Sequence, residues 1–288
     1  MKLSIITINY NNCDGLRKTI ESVVNQTYRD FEYIIIDGGS TDGSVEVIKE
    51  YADRISYWIS EPDNGIYHAM NKGVSAANGK YCLFLNSEDT LHENIVVQNI
   101  TKVLDIDIDI IIGRILFTDT KQLSEPIESI SMLRLYTNSL PHPASFISRE
   151  LLLKYPYDEN LKIVSDWKFY IQTLILSDAT YKYIDVIITD FAPNGISGSN
   201  KAVCDAERNK VLKELIPQRI RTDYLQFSQG NGYKENEYDM LFINLRKYNY
   251  SPHIYTLCNL ILRFIAIFKK SARFSFSYPI LLNKKKKK

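Results

Sequence analysis

Short apolar runs alternate with stretches of helical spacing through the first half of the chain. Leu3 to Ile8 is a β-branched run of the kind buried on both faces of a sheet. A polar turn, Asn9 to Asp14, leads into Leu16, Ile20, Val23 and Val24 at helical spacing. Phe31 to Ile36 predicts a second buried strand ending at Asp37. The turn Gly38-Gly39-Ser40-Thr41-Asp42-Gly43 then opens a helix through Val45, Ile48 and Tyr51. Ile55 to Ile59 predicts a third strand, Ile66 to Ala77 a helix, and Tyr81 to Leu85 a fourth strand. Strands separated by helices pair in parallel through right-handed crossovers. The expected fold class is therefore α/β, a doubly wound and mostly parallel sheet with flanking helices.

Beyond residue 90 the alternation loosens. Ile95 to Leu104 reads as a helix. Ile108 to Ile112 and Ile115 to Thr118 read as two strands separated by Gly113. Arg149 to Lys154 and Asp166 to Leu176 read as helices, Tyr181 to Ile188 as extended, and residues 203 to 215 as helical. Asn194 to Asn200, rich in Gly, Ser and Asn, reads as a flexible loop that could close over a bound donor. A catalytic domain is expected over 1–215, with a donor half over about 1–90 and an acceptor half over about 91–215. A helical C-terminal extension over 216–288 follows. In it, Ile254 to Phe268 is apolar apart from Asn259 and Arg263, and Lys269, Lys270 and Arg273 come next. Such a segment either lies in a membrane interface, giving peripheral contact through 254–288, or packs on the main domain.

The chain has 288 residues, 45% hydrophobic and 24% charged, which suits a folded domain rather than disorder. Its net charge of +1 conceals an asymmetry: Lys284 to Lys288 supply five of the 35 basic residues, leaving 30 against 34 acidic ones. A mildly acidic body argues against nucleic acid as a partner. Cys13, Cys82, Cys204 and Cys258 are scattered without a CxxC pair, as in a reduced, cytoplasmic protein. The opening MKLSIITINYNN lacks the apolar length of a signal peptide.

Ligands of open parallel sheets sit beyond the carboxyl ends of the strands. Here those ends carry Asn9, Tyr10 and Asn11, then Asp37 to Ser40, then Glu61 to Gly65, then Asn86-Ser87-Glu88-Asp89. Acids gathered at one sheet edge repel one another unless a cation or hydrogen-bonding ligand joins them. Carboxylate oxygens select Mg2+ or Mn2+ over zinc. Neither GxGxxG nor GxxxxGK[ST] follows the first strand, so a diphosphate would need a metal or a basic side chain such as Lys72.

Several ordered blocks resemble glycosyltransferase family 2, of the GT-A fold. They are Ile5 to Asn12, Ser22 to Tyr28 with Gln26 inside, and Asp37 to Gly43. Asp63 to Gly73 resembles a branch that builds bacterial surface polysaccharides, the colanic-acid-type transferases. The resemblance covers about residues 1–200. It implies a nucleotide-sugar site formed by Thr7, Asn9, Tyr10, Asp37, Gly39, Asp63, Lys72, Asn86 and Glu88, with Thr7 and Asp37 on the base. It implies Asp89 as the ligand of Mn2+ or Mg2+, and Asp166 as the general base. His142 and Trp167 are implied on the acceptor side. Asn86 and Glu88 depart from the usual aspartates, and Ser165 stands where many members carry an acid.

The expected activity is inverting transfer from a nucleotide diphosphate sugar, UDP favoured, to a hydroxyl of a glycan or lipid-linked oligosaccharide in polysaccharide biosynthesis. The expected place is the cytoplasm, at the inner face of the membrane. Three other classes stay open at this point: an inactive sugar-nucleotide-binding protein, a sugar nucleotidyltransferase and a membrane-surface scaffold built on the C-terminal segment.

Overall fold

A computed structural model describes residues 2–105, 107–127, 129–193 and 200–228. Met1–Leu225 forms one compact unit and Gln226–Lys288 a second. The expectations for Asn194 to Asn200 (apart from Asn200), for Ile254 to Phe268 and for the lysine tail lie outside the described residues.

Four strands form the parallel core: β1 (Leu3–Asn9), β2 (Glu32–Asp37), β3 (Tyr57–Ser60) and β4 (Tyr81–Phe84). They stand in the order β3-β2-β1-β4. Pairing puts Asn9 opposite Asp37, and Asp37 opposite Ser60, so three strands end at one level. The later strands are β5 (Thr90–Leu91), β6 (Ile110–Phe117), β7 (Ser145–Ser148) and β8 (Tyr181–Phe191), and they extend the sheet as β4-β7-β6-β8-β5. β7 runs antiparallel to β4 and β6, and β5 antiparallel to β8. The sheet is therefore mixed, with four of its seven neighbouring pairs parallel.

Every residue of β1 and β2 is buried, because both faces are covered. Helices α1 (Cys13–Val24), α2 (Ser44–Glu50) and α4 (Val96–Thr101) cover one face, where Leu3, Ile5, Tyr33 and Ile35 meet Leu16, Ile20, Val47 and Ile48. Helices α3 (Ile66–Ala76), α5 (Met132–Thr137), α6 (Arg149–Lys154), α7 (Ser165–Tyr170) and α8 (Lys201–Leu215) lie over the other. There Ile6, Ile8, Ile34 and Ile36 meet Tyr67, Met70 and Val74. The chain continues from α7 as a π-helical turn, Ile171–Ile175. Helix α9 (Gln218–Ser228) is the last described element.

The structure corrects one expected break. Gly113 does not separate two strands; it lies inside β6, where the pairing with β8 shifts register. A Cβ at Gly113 would stand 2.9 Å from the Val186 carbonyl oxygen and closer still to Ile188. The glycine marks a close approach of two strands rather than a turn. Gly113→Ala should therefore cost about 1–3 kcal/mol of stability in urea unfolding, as overpacking does. In an Ile188→Ala background, which removes the γ-carbon it would strike, Gly113→Ala should cost less than it does in the unmodified chain.

Candidate functional site

The strand ends meet in one hydrogen-bonded junction. Asn9 donates from Nδ2 to Asp37 Oδ1 at 2.7 Å, and its Oδ1 accepts from Ser87 Oγ at 2.6 Å. One side chain thus joins the ends of β1, β2 and β4. Asp37 is fully buried. It also accepts from Ser40 Oγ and Ser60 Oγ, each at 2.6 Å, and from the Ser40 amide at 2.9 Å. Burial pushes the Asp37 carboxyl up, but these donors outweigh it and hold it below the ordinary carboxylate range. Above it Tyr10 is 67% exposed, an unusual state for a large ring. A Cβ on Gly38 would stand 2.7 Å from Asp63 Oδ2 and 3.2 Å from the Tyr10 ring. Tyr10, Gly38 and Asp63 therefore crowd together over the end of β2. Gly39 adopts φ 79°, a conformation glycine takes without strain.

The segment after β4 is anchored from below by α1. Thr19 donates to the Asp89 carbonyl at 2.8 Å and accepts from the Glu88 amide at 2.9 Å. Further along α1, Ser22 accepts from the Leu91 amide at 3.1 Å, and just beyond its end Gln26 Nε2 donates to the Glu93 carbonyl at 2.7 Å. This pinning holds Glu88 at φ 90°, a strained conformation for a residue with a side chain. Asp89 is 4% exposed, and burial pushes its carboxyl up to about 7. The Ala192 and Asn86 amides lower it only in part, and the neighbouring Glu88 charge raises it. Beside it the Asn86 side-chain oxygen is buried without a hydrogen-bond partner.

These two features test the fit of a divalent metal. Among the described residues no group of three His, Cys, Asp or Glu side chains forms a complete ligand set. What the segment offers is one buried carboxylate under electrostatic stress and one uncommitted amide oxygen, both hard donors. That suits a cation which takes its remaining ligands from a diphosphate.

Asp166 lies in the first turn of α7, half-exposed. It does not cap that helix, since the cap position is Val164. Tyr67 of α3 fixes its carboxylate: the hydroxyl lies 3.0 Å from Asp166 Oδ1 and 2.6 Å from the Ile163 carbonyl. Helix α3 starts just after the Asp63 turn, in which Asp63 Oδ1 accepts from the Gly65 amide at 2.8 Å. The donor-side turn and Asp166 are thus tied through a single helical turn.

Three residues expected to face ligand lie in the core instead. Thr7 is fully buried with its hydroxyl 3.0 Å from that of Tyr33; it shares a face with Asn9 but lies two residues deeper along the strand, beneath the junction. His142 is buried, stacked on Phe84 at 5.1 Å, and bonded through Nε2 to the Tyr157 hydroxyl at 2.8 Å. Burial lowers its basicity, and the charge of Asp166 offsets this only in part. Trp167 is 1% exposed and donates to the Leu135 carbonyl at 2.7 Å. Lys72 is engaged by Glu61 at 2.6 Å and lines a cavity of about 400 Å3 between β3 and α3. To reach a phosphate it would have to leave that partner. Sequence reasoning missed Thr19, Ser40, Ser60, Tyr67 and Ser87; these hydroxyls gain meaning only from partners distant in the chain.

With this geometry in hand, residues 4–154 match the family described as Glycosyl transferase family 2. The chain belongs to that family and is a glycosyltransferase. It is 28% identical over 269 residues to an uncharacterized glycosyltransferase of Mycobacterium tuberculosis, covering 85% of this chain and 98% of the relative. Its fold is similar to Staphylococcus aureus TarS 1–349 in complex with UDP-GlcNAc. That match has a TM-score of 0.62 and 16% identity, over 88% of this chain and 77% of the other. It is also similar to the mannosyltransferase PcManGT of Pyrobaculum calidifontis in complex with GDP-Man and Mn2+. There the TM-score is 0.59 at 14% identity, over 93% of this chain and 81% of the other. Among the described residues no helix is long and apolar enough to cross a membrane.

The stressed carboxyl of Asp89 gives a prediction with a definite sign. Its folded value, about 7, lies above the ordinary 3.8, so between these pH values the native state holds a proton that the unfolded state has lost. Stability therefore falls as pH rises through that window. Asp89→Asn should stabilise the metal-free protein at pH 8 by on the order of 2–4 kcal/mol. The gain should vanish near pH 4, as read from melting temperatures across pH.

Proposed function

We propose that the chain is an inverting, metal-assisted transferase moving a sugar from a nucleotide diphosphate donor to an acceptor hydroxyl. The observation that carries this reading is the contrast between two buried acids at one sheet edge. Asp37 is charged and saturated with donors. Asp89 is buried with too few. Asp37 and the exposed Tyr10 ring suit the base, which needs a fixed acceptor and a stacking surface. Gly39 and Asp63 border that place, and Glu88, part-exposed on the same turn, would face the ribose. Asn86 and Asp89 would hold Mn2+ or Mg2+. When bound, the ion neutralises charge on the departing diphosphate.

Asp166 is the general base. It takes the proton of the acceptor hydroxyl, whose oxygen then attacks the anomeric carbon from the face opposite the leaving group. Tyr67 holds the carboxylate in place for that step. Family similarity alone leaves the donor open, since one similar structure holds a UDP sugar and another a GDP sugar. A UDP sugar is our choice because a pyrimidine imide N–H can take the place of the Ser40 or Ser60 hydroxyl as a donor to the Asp37 carboxylate. The block Asp63 to Gly73 favours the surface-polysaccharide branch, and hence a glycan or lipid-linked oligosaccharide acceptor. A cytoplasmic enzyme touching the membrane through 254–288 fits that acceptor.

The test is nucleotide release from a panel of UDP and GDP sugars, with MnCl2 or with EDTA. UDP release that requires the metal is expected. Asp166→Asn should lower it by about 10²–10⁴-fold, the usual worth of general-base catalysis. Asp89→Ala should remove the difference between metal and EDTA. Turnover of Asp166→Asn near that of the unmodified protein would reject the base. Release indifferent to EDTA would reject the metal.

A further inference from the structure

The turn that delivers Asp166 is held by a residue of another element. Glu207, on the seventh position of α8, points its carboxylate at the turn before α7. Oε1 accepts from the Lys162 amide at 2.7 Å, and Oε2 from the Ile163 and Val164 amides at 2.9 and 3.3 Å. Three consecutive backbone N–H groups thus converge on one carboxylate, in charge-assisted bonds stronger than neutral ones. The next residue of α8, Arg208, lies over the Trp167 ring at 4.9 Å, so the helix grips both sides of Asp166 in the sequence.

The same turn is held from the opposite side by carbonyl and hydroxyl contacts. The Ile163 carbonyl accepts from Tyr67, and Ser165 Oγ accepts from the Asp158 amide at 2.5 Å. The Tyr67 hydroxyl has a single proton and two acceptors, Ile163 O at 2.6 Å and Asp166 Oδ1 at 3.0 Å. Which one receives it depends on where the turn holds Ile163. A turn freed from Glu207 would let Ile163 and Asp166 shift together, and the carboxylate would lose the place that the Tyr67 contact gives it. A carboxylate displaced from that place is a poorer proton acceptor for a hydroxyl held by the rest of the site.

We infer that Glu207 is a positioning residue for the catalytic carboxylate: by binding the amides of 162–164 it sets the geometry of the Ile163–Tyr67–Asp166 contact. The inference rests on the reading of Asp166 as general base. It assigns to α8, an element outside the matched family segment, a part in the chemistry.

A double-mutant cycle tests it, with metal-dependent UDP release from UDP-glucose, UDP-galactose and UDP-N-acetylglucosamine as the rate. Glu207→Ala should lower kcat at least about tenfold while the donor KM stays within about twofold, the signature of a lost transition-state interaction. Glu207→Gln, which keeps one accepting oxygen, should fall between the two and serves if the alanine variant folds poorly. In the Asp166→Asn background, Glu207→Ala should cost less than about twofold more, because residues acting through one another are not additive. A general loss of folded protein would instead multiply.

Hydrogen exchange adds a readout independent of the donor: in Glu207→Ala the amides of 162–164 should exchange at least about tenfold faster, with β1 and β2 unchanged. Unchanged kcat in Glu207→Ala, a multiplicative loss in the double variant, or unchanged exchange at 162–164 would each overturn the positioning role while leaving the base intact. Near-normal turnover in Asp166→Asn alone would instead overturn the base itself.

Discussion

Everything at the carboxyl edge of the sheet depends on the Asn9 side chain. An amide offers a donor at one end and an acceptor at the other, and here each is used once across the sheet. The nitrogen fixes the Asp37 carboxylate of β2, and the oxygen fixes Ser87 after β4. The carboxylate on one side needs a donor and the hydroxyl proton on the other needs an acceptor, and one amide supplies both. The parallel register that puts Asn9 opposite Asp37 makes the junction possible, and β-branched packing on both faces sets that register.

The junction separates two buried acids into two electrostatic states. Asp37 receives three hydroxyl or amide side chains and a backbone amide, so its charge is stable without a partner ion. Asp89 receives backbone amides alone, with Glu88 beside it, and sits near neutrality in pKa. Environment, not residue type, assigns their roles. The backbone records the same division: Glu88 holds a left-handed conformation because Thr19 pins its amide from α1. Ser22 near the end of α1 and Gln26 just beyond it are thus scaffolding for the strand-end turn.

Much of this was legible in the sequence, for a definite reason. Doubly covered parallel strands read as continuous apolar runs, and Leu3 to Ile8, Phe31 to Ile36 and Tyr81 to Leu85 lie within a residue or two of β1, β2 and β4. The acids at their ends were equally plain. Illegible was whatever depends on how deep a side chain sits or which way it turns. Thr7 shares the face of Asn9 but lies a step deeper in the sheet, and His142 and Trp167 carry ring nitrogens that suit an acceptor site but find partners in the core. The strand β7, four residues beginning and ending in serine, carried no run long enough to see. Glu207 looked like any charged residue on a helix until the turn at 162–164 was placed against it.

The central claim is that the Asn9 junction divides base recognition from metal binding along one edge. The most direct measurement is anomalous diffraction at the manganese edge from crystals soaked with UDP and MnCl2. The account predicts an anomalous peak about 2.0–2.4 Å from an Asp89 carboxylate oxygen, as hard cations sit from oxygen. The uracil should lie between Tyr10 and Asp37, with its diphosphate reaching the metal. Manganese bound away from Asp89, or the uracil lodged in the cavity between β3 and α3 beside Lys72, would contradict it.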